Sequence, residues 1–457
     1  MAGFVFFDDE DEDLVQAESF DNGAVTETFD FGPELGYAMH VDDDTDAIDM
    51  PDFEVQTAPH GTSLGGPAND IGSVRRELNI PTPTEVSGAG EAVCLTDSGV
   101  DGDHPVFEGM SITQYDCRHG KPGDTGPQRP SDGLGHGTAC AGQVAQIAPG
   151  AEIIMLRIFG AEGKTGGREI MRAYEWLLAN PDRYSVVSMS WGAPQKVDQI
   201  DRIHNRLAQN GAFNCVAAGN SGEAGGSPAT AKRAFSVGAS TIDGRVAEFS
   251  SYNPEGAVNP EVVAPGVNIM LARAHGTRTG EPITGKNKYT NASGTSFACP
   301  EVAAGVALLR ELNPDRKVAD LEADLIDNSR DIPNTVRDGA GIVDYKRSSG
   351  QTTAGLEERT ERLLVDFYGV DAVETDHTFD DGRQANFIAH AGVVQAVVEV
   401  HDESYSPLQT AGRALYNAEH VDDGVPIMVV WEDDLDTEER VILDRMPVIV
   451  KEMVPER

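Results

Sequence analysis

Lysine is scarce in this chain, with nine residues in 457. Lysine and arginine together number 35 against 76 aspartates and glutamates, a formal net charge of −41. A surface so poor in cations repels a phosphate backbone, which argues against direct nucleic-acid binding. No run of about 18 apolar residues occurs, so no membrane-spanning helix is expected. The first residues, Met1-Ala-Gly-Phe-Val-Phe-Phe, run straight into Asp8-Asp9-Glu10. A secretory leader needs a basic start and a longer apolar stretch, so the protein as written is expected in the cytoplasm. Cysteines number five, with no Cys-x-x-Cys and no His/Cys cluster, which argues against zinc. Cys94 and Cys215 lie in apolar runs, Cys140 and Cys299 in small-residue stretches, and all four read as small buried hydrophobes. No internal repeat and no long low-complexity tract is present.

What the chain does contain is four short motifs. Glu91-Ala-Val-Cys-Leu-Thr-Asp97-Ser-Gly99 reads as a buried strand that ends on a carboxylate and then turns. Leu134-Gly-His136-Gly-Thr-Ala-Cys-Ala-Gly142 sets a histidine in a glycine-rich turn before a small-residue helix. Asn214-Cys-Val-Ala-Ala-Gly-Asn220-Ser-Gly222 is a short apolar strand ending on an amide. Asn291-Ala-Ser-Gly-Thr-Ser296-Phe-Ala-Cys-Pro300 mounts a serine at a helix start, where unpaired N–H groups face a developing negative charge. Each motif alone is commonplace. Gly61-Thr62-Ser63, for example, reads as an ordinary turn. Together they supply the parts of nucleophilic acyl transfer. A neutral Ser hydroxyl needs a base to take its proton, and His titrates in the right range.

The four segments, in the order Asp, His, Asn, Ser, closely resemble those of subtilisin-like serine peptidases, the subtilases. The resemblance covers roughly residues 85–348. It implies Asp97, His136 and Ser296 as a catalytic triad, with Asp97 orienting the imidazole. It implies the Asn220 side chain, with the backbone N–H of Ser296, as the oxyanion hole. Ser190-Trp191-Gly192 resembles one wall of the family's primary specificity pocket and Ala217-Ala218-Gly219 the opposite wall. Both would hold an extended peptide largely through backbone. Trp191 departs from the Leu often found there, and no preference at the cleaved residue is read from it. Ile153–Gly160 with Thr165-Gly166-Gly167, His104-Pro105 and Gly339–Asp344 also fit the family pattern. The expected fold is therefore α/β, a doubly wound, mainly parallel sheet. The expected function is endopeptidase cleavage of peptides or proteins through an acyl-enzyme. The chemistry requires no cofactor. Relatives often bind structural calcium, but no ligand run here marks a site. A second use stays open: a self-processing or dedicated-partner peptidase whose C-terminal module has a binding role.

Residues 1–57 form an acidic extension in which Gly23–Phe29 and Leu35–Val41 alternate like two strands joined by a turn. It reads either as a propeptide, which such enzymes often carry, or as an acidic lead. Residues 58–84, rich in Pro, Gly and Thr, read as a linker, and 349–355 as a second one. Residues 356–457 read as a small α/β domain with a helix over 356–368, a hairpin, a helix over 409–416 and a strand over 425–431. That order resembles the core of PD-(D/E)xK nuclease-like folds. Glu399 matches the pattern, but Asn386 and His401 replace an acid and a lysine, so the resemblance implies a catalytically dead module. An unrelated α/β domain fits equally. The acidic, lysine-poor composition, spread along the whole chain, resembles that of proteins from salt-loving microbes.

Overall fold

In the computed structural model the chain divides into two compact units, residues 1–345 and 346–457. The structure describes residues 3–7, 25–31, 35, 37–41, 50–55, 68–80, 86–252, 260–277, 279–332, 337–349, 373–378, 384–391, 394–400, 407–418, 424–431 and 449–453. The helix expected over 356–368, the linker residues 350–355, Gly61-Thr62-Ser63 and His401 lie outside them, as does the Glu399 side chain.

Seven strands organise the first unit: β1 (Ala92–Asp97), β2 (Ile112–Asp116), β3 (Glu152–Arg157), β4 (Val186–Met189), β5 (Phe213–Ala217), β6 (Phe235–Ser240) and β7 (Val262–Pro265). They pair in the order β7-β6-β5-β4-β1-β3-β2, and every pairing is parallel. Strands buried on both faces need apolar side chains at consecutive positions, as in Val93-Cys94-Leu95. Val93 and Leu95 enter the core on one face and Cys94 the core on the other. The alternation repeats in β3, where Ile153 and Met155 oppose Ile154 and Leu156. The strand order reverses at β1, whose neighbours are β3 and β4. In open α/β sheets the carboxyl end of a strand at such a switch is where ligands bind, and Asp97 ends β1.

Helices around the sheet include α1 (Ile71–Glu77), α2 (His136–Ile147), α3 (Gly167–Ala179), α4 (Asp198–Leu207) and α5 (Thr295–Leu312), with α1 packed on α2. α2 and α5 are made of small residues and are buried nearly all round, so they can lie against each other and the sheet. α3 and α4 cover the opposite face. α4 buries Ile200, Ile203, His204 and Leu207 at helical spacing. α1 is a difference from the expected linker over 58–84. Asp70 caps it by accepting from Ser73 N at 2.9 Å, and Val74 and Leu78 enter the core shared with α2. The Pro, Gly and Thr that suggested a linker lie mainly on either side of it.

The two strands read in the extension are present as Val25–Asp30 and Tyr37–Val41, antiparallel. A third strand, Gly3–Phe7, pairs with Tyr37–Val41. This sheet lies on α3. Phe4, Phe29 and Phe31 join the core under it. Arg172 of α3 donates from Nε and Nη2 to the two carboxylate oxygens of Glu27, both at 2.7 Å. Further on, Phe53–Val55 forms a short strand of its own.

The second unit contains one five-stranded sheet in the order Val373–Thr378, Gln384–Ala391, Val394–Val400, Gly424–Trp431, Ile449–Met453. The first two pairings are antiparallel and the last two parallel. Helix Pro407–Ala418 lies between the third and fourth strands in sequence and buries Thr410, Ala411, Ala414 and Ala418. Among the described residues, no helix is long and apolar enough to cross a membrane.

Candidate active site

Each functional side chain stands where a strand ends or a helix begins. Asp97 is the last residue of β1 and is buried. His136 is the first residue of α2. The residue before it, Gly135, has φ 97°, a left-handed conformation that glycine adopts without penalty. His136 Nδ1 lies 2.9 and 3.0 Å from the two oxygens of Asp97, and the two side chains are 1% and 2% exposed. A carboxylate on Nδ1 fixes the tautomer and leaves Nε2 as the basic nitrogen. Nε2 is buried and has no hydrogen-bond partner.

Ser296 sits in the first turn of α5. Its Oγ donates to the carbonyl of Ser190 at 3.0 Å, and Ser190 Oγ donates back to the carbonyl of Ser296 at 2.9 Å. The second bond has a cause in the sequence. Pro300 lies four residues after Ser296 and has no N–H, so it cannot take the Ser296 carbonyl in the usual helical bond. Ser190 and the Cys140 thiol, at 3.4 Å, take it instead. This ties Ser296 to the end of β4 and to α2.

Asn220 follows β5. Its Oδ1 accepts from Thr295 N at 2.9 Å and from Thr295 Oγ1 at 3.2 Å. Its Nδ2 is buried and has no partner. The amide is thereby held with its donor unspent beside the start of α5. An orphaned buried donor costs about 1–3 kcal/mol unless something accepts from it.

A cleft of about 920 Å³ opens over these groups. His136, Asn220, Gly192, Ala217, Ala218 and Gly219 line it, together with other mainly small residues. Ser190 and Trp191, expected in the same wall, are buried and are not among the residues that line it. The Trp191 indole is buried beneath the cleft wall, and its Nε1 donates to Thr96 Oγ1 at 2.7 Å. The departure from leucine thus repacks the wall from below.

The cleft already contains part of the chain. Phe53–Val55 lies between Trp191-Gly192 and Lys164-Thr165, antiparallel to both, with Trp191 opposite Val55, Gly192 opposite Glu54 and Thr165 opposite Phe53. Val55 N donates to Gly163 O at 3.2 Å. Phe53 is fully buried and meets the Trp191 ring edge-on at 5.6 Å. Sequence reasoning missed this strand. The alternation Phe-Glu-Val was its one signal, too short to stand alone.

Among the described residues, the group with metal-ligand spacing is Asp97, His136 and Cys140, which is the Asp–His pair plus a neighbouring thiol. Burial, reinforced by the Asp97 charge, pushes the Cys140 thiol well up, and burial pushes Cys299 up to about 12. Neither is a thiolate at neutral pH. All five cysteines, Cys117 included, are free and buried.

An aspartate on Nδ1 of a histidine, a serine at a helix start and an unspent amide donor are the parts needed to open a carbonyl and hold its oxyanion. The chain matches the subtilase family model over residues 88–357. It is 28% identical over 277 residues to subtilisin BL of Lederbergia lenta, covering 58% of this chain and 92% of that protein. It is 31% identical over 305 residues to the serine protease AprX of Bacillus subtilis, covering 58% and 67%. Among solved structures it shares its fold with fervidolysin of Fervidobacterium pennivorans, a keratinolytic enzyme related to subtilisin, with a TM-score of 0.60, 22% identity and 76% and 61% of the two chains covered. The family model spans more than half of the chain, and this protein belongs to the subtilase family of serine endopeptidases.

Proposed function

We propose that Asp97, His136 and Ser296 act as the triad and Asn220 as an oxyanion donor, and that the first bond this enzyme cuts is in its own chain. The pairing of His136 Nδ1 with Asp97, with Nε2 unspent, is the observation that carries the first part. In the reaction, Ser296 Oγ leaves the Ser190 carbonyl and gives its proton to His136 Nε2 as it attacks the substrate carbonyl. Catalytic hydrogen bonds of this kind commonly tighten only with substrate bound. The carbonyl oxygen becomes an oxyanion and accepts from Asn220 Nδ2 and the Ser296 backbone N–H. The tetrahedral intermediate collapses, the C–N bond breaks, and the imidazolium returns the proton to the leaving amine. Water, deprotonated in turn by His136, releases the acyl group.

The Phe53–Val55 strand supports the second part. It adds itself to the cleft walls as an extended substrate would, and residues 1–57 act as a propeptide that covers its own site. On this reading the scissile carbonyl would lie within reach of Ser296 Oγ, near the Ser190 carbonyl to which it now donates. Trp191 pairs with Val55, and we therefore place the cut in the stretch of chain just after Val55. The C-terminal unit lies outside this machinery and is assigned a binding role.

Intact-mass measurement in molar KCl tests both parts. The wild-type chain should release an N-terminal fragment cut shortly after Val55, and Ser296→Ala should stay whole. Cleavage in Ser296→Ala would refute the mechanism. A cut elsewhere would refute the register.

A further inference from the structure

We propose that Asp132 is a positioning residue for the triad: its carboxylate couples the turn after Asp97 to the first turn of His136's helix. Asp132 does not touch the reacting atoms, and the proposal rests on the triad assigned above.

The start of α2 presents a problem. The first N–H groups of a helix have no partner within it, and an N-cap side chain usually takes one of them. Here the N-cap is Gly135, chosen for its backbone and without a side chain. Two residues from elsewhere do the work. Ser98 Oγ accepts from Gly137 N at 2.9 Å. Asp132 Oδ2 accepts from Thr138 N at 2.9 Å and from Thr138 Oγ1 at 2.7 Å.

The other oxygen of Asp132 holds what lies on either side. Oδ1 accepts from Leu134 N at 3.0 Å and Gly135 N at 2.8 Å, which shapes the turn leading into His136. It also accepts from Ser98 Oγ at 2.9 Å. Ser98 is the residue after Asp97, and its N–H donates to Asp97 Oδ1 at 2.6 Å. One carboxylate therefore takes five hydrogen bonds, one from the Asp97 side and four from the His136 side. Bonds to an ionised acceptor are about twice as strong as neutral ones.

The two segments are pressed together at this seam. A side chain at Gly99 would place its Cβ 2.1 Å from the Ser131 carbonyl. Gln114 Oε1 accepts from Val100 N at 3.0 Å. Thr138 Oγ1 also receives Asp101 N at 2.9 Å, which extends the tie one step further along the turn. With the seam closed, Asp97 and His136 meet at the distances observed. With Asp132 removed, the first turn of α2 and the turn after β1 lose the one charged group that binds them both, and a displacement of about 1 Å in a catalytic group can cost about 10²-fold in rate.

The test uses the full-length protein with phosphonylation of Ser296 by a small fluorophosphonate, which needs the base but little of the cleft, and steady-state hydrolysis of a peptide anilide per phosphonylated molecule. Asp132→Ala should lower the phosphonylation rate and kcat about 10²-fold, and Asp132→Asn, which keeps an oxygen at Oδ1, about 10-fold, with KM moving less than about threefold. In an Asp97→Asn background the further loss from Asp132→Asn should shrink to less than about twofold, since the pairing it aligns is already disabled. A general structural role would give the same loss in both backgrounds. Should Asp132→Ala fail to fold, Asp132→Asn and its coupling decide the matter. Wild-type rates in Asp132→Asn, a change confined to KM, or equal losses in both backgrounds would overturn the proposal. Ser296→Ala must be inactive in the same assays; activity there would instead refute the triad itself.

Discussion

Asn220→Ala is the perturbation whose cost the geometry defines best. In the resting site Asn220 Nδ2 makes no hydrogen bond, so the substitution removes nothing that a bound substrate in its ground state depends on. The loss appears only when the carbonyl oxygen becomes an oxyanion. Removal of one such donor costs about 2.7–4 kcal/mol, or about 10²–10³ in kcat, as measured for the corresponding Asn of subtilisin. KM should stay within about twofold, and kcat and kcat/KM should fall together. The two bonds from Thr295 to Oδ1 keep the amide from flipping, which adds a second arm. Thr295→Val removes the hydroxyl donor and leaves the backbone one, so about 1 kcal/mol, roughly fivefold in kcat, should be lost. Asn220→Asp should be slower than Asn220→Ala, because it sets a negative charge where the oxyanion forms. Initial rates on a peptide anilide, with active molecules counted by phosphonylation, decide these points. If Asn220→Ala keeps kcat within threefold, or loses only KM, Asn220 is not the oxyanion donor.

Burial pushes the Glu261 carboxyl up to about 8, against a backbone bond from Ser236 that favours the charged form. A carboxyl raised in the folded state gives stability that is full below its unfolded pKa and is lost as pH rises to the folded one. Tm should therefore fall between about pH 4.5 and 8, and Glu261→Gln should flatten that fall by at least about 1 kcal/mol, roughly 2 °C. Equal slopes in calorimetric scans of the two proteins would contradict this. Because the chain divides after Tyr345, deletion of 350–457 should leave hydrolysis of a short peptide within about twofold; a truncated enzyme that cannot fold would place the C-terminal unit inside the catalytic one. The charge of −41 should make Tm and activity rise between 0.1 and 2 M KCl, as the Debye length shrinks from about 10 Å to about 3 Å, and a flat or falling Tm would count against a salt-adapted surface.

The catalytic sheet was legible because parallel strands buried on both faces write unbroken apolar runs, and because two of these runs lead to a residue that is odd for a core: Asp97 at the end of β1 and Asn220 shortly after β5. The helix starts were legible through glycine, at Gly135 and Gly294. What stayed hidden has physical reasons. Gly3–Phe7 is hard to read as a strand because the strand it pairs with, Tyr37–Val41, lies more than two dozen positions away. Val373–Thr378 is Val-Glu-Thr-Asp-His-Thr, an edge strand with one neighbour, and edges tolerate charge that central strands do not. Asp132 shows nothing in sequence beyond an acid four residues before a histidine. Its four partner residues come from two segments about 40 positions apart, and only folding brings them together. The same holds for the pairing of Ser190 with Ser296, which follows from a missing N–H at Pro300.

The excess of acid also bears on how the N-terminal segment stays on its site. Salt that screens a −41 surface would weaken a propeptide held by exposed charges, and the enzyme would be uncovered as soon as it was stable. The contacts avoid this conflict. Glu27 and Arg172, at 12% and 10% exposure, form a bidentate pair too far from solvent to be screened as surface pairs are. Phe4, Phe29 and Phe53 are buried, and apolar burial of about 1.5–3 kcal/mol per side chain owes nothing to charge. An exposed pair such as Lys164–Glu54, at 57% and 52%, is the kind that molar salt erases, and it is backed by the strand pairing and by Phe53 beside it. On the proposed propeptide role, the segment would therefore hold in molar salt, and cutting the covalent link would be the first step towards its release.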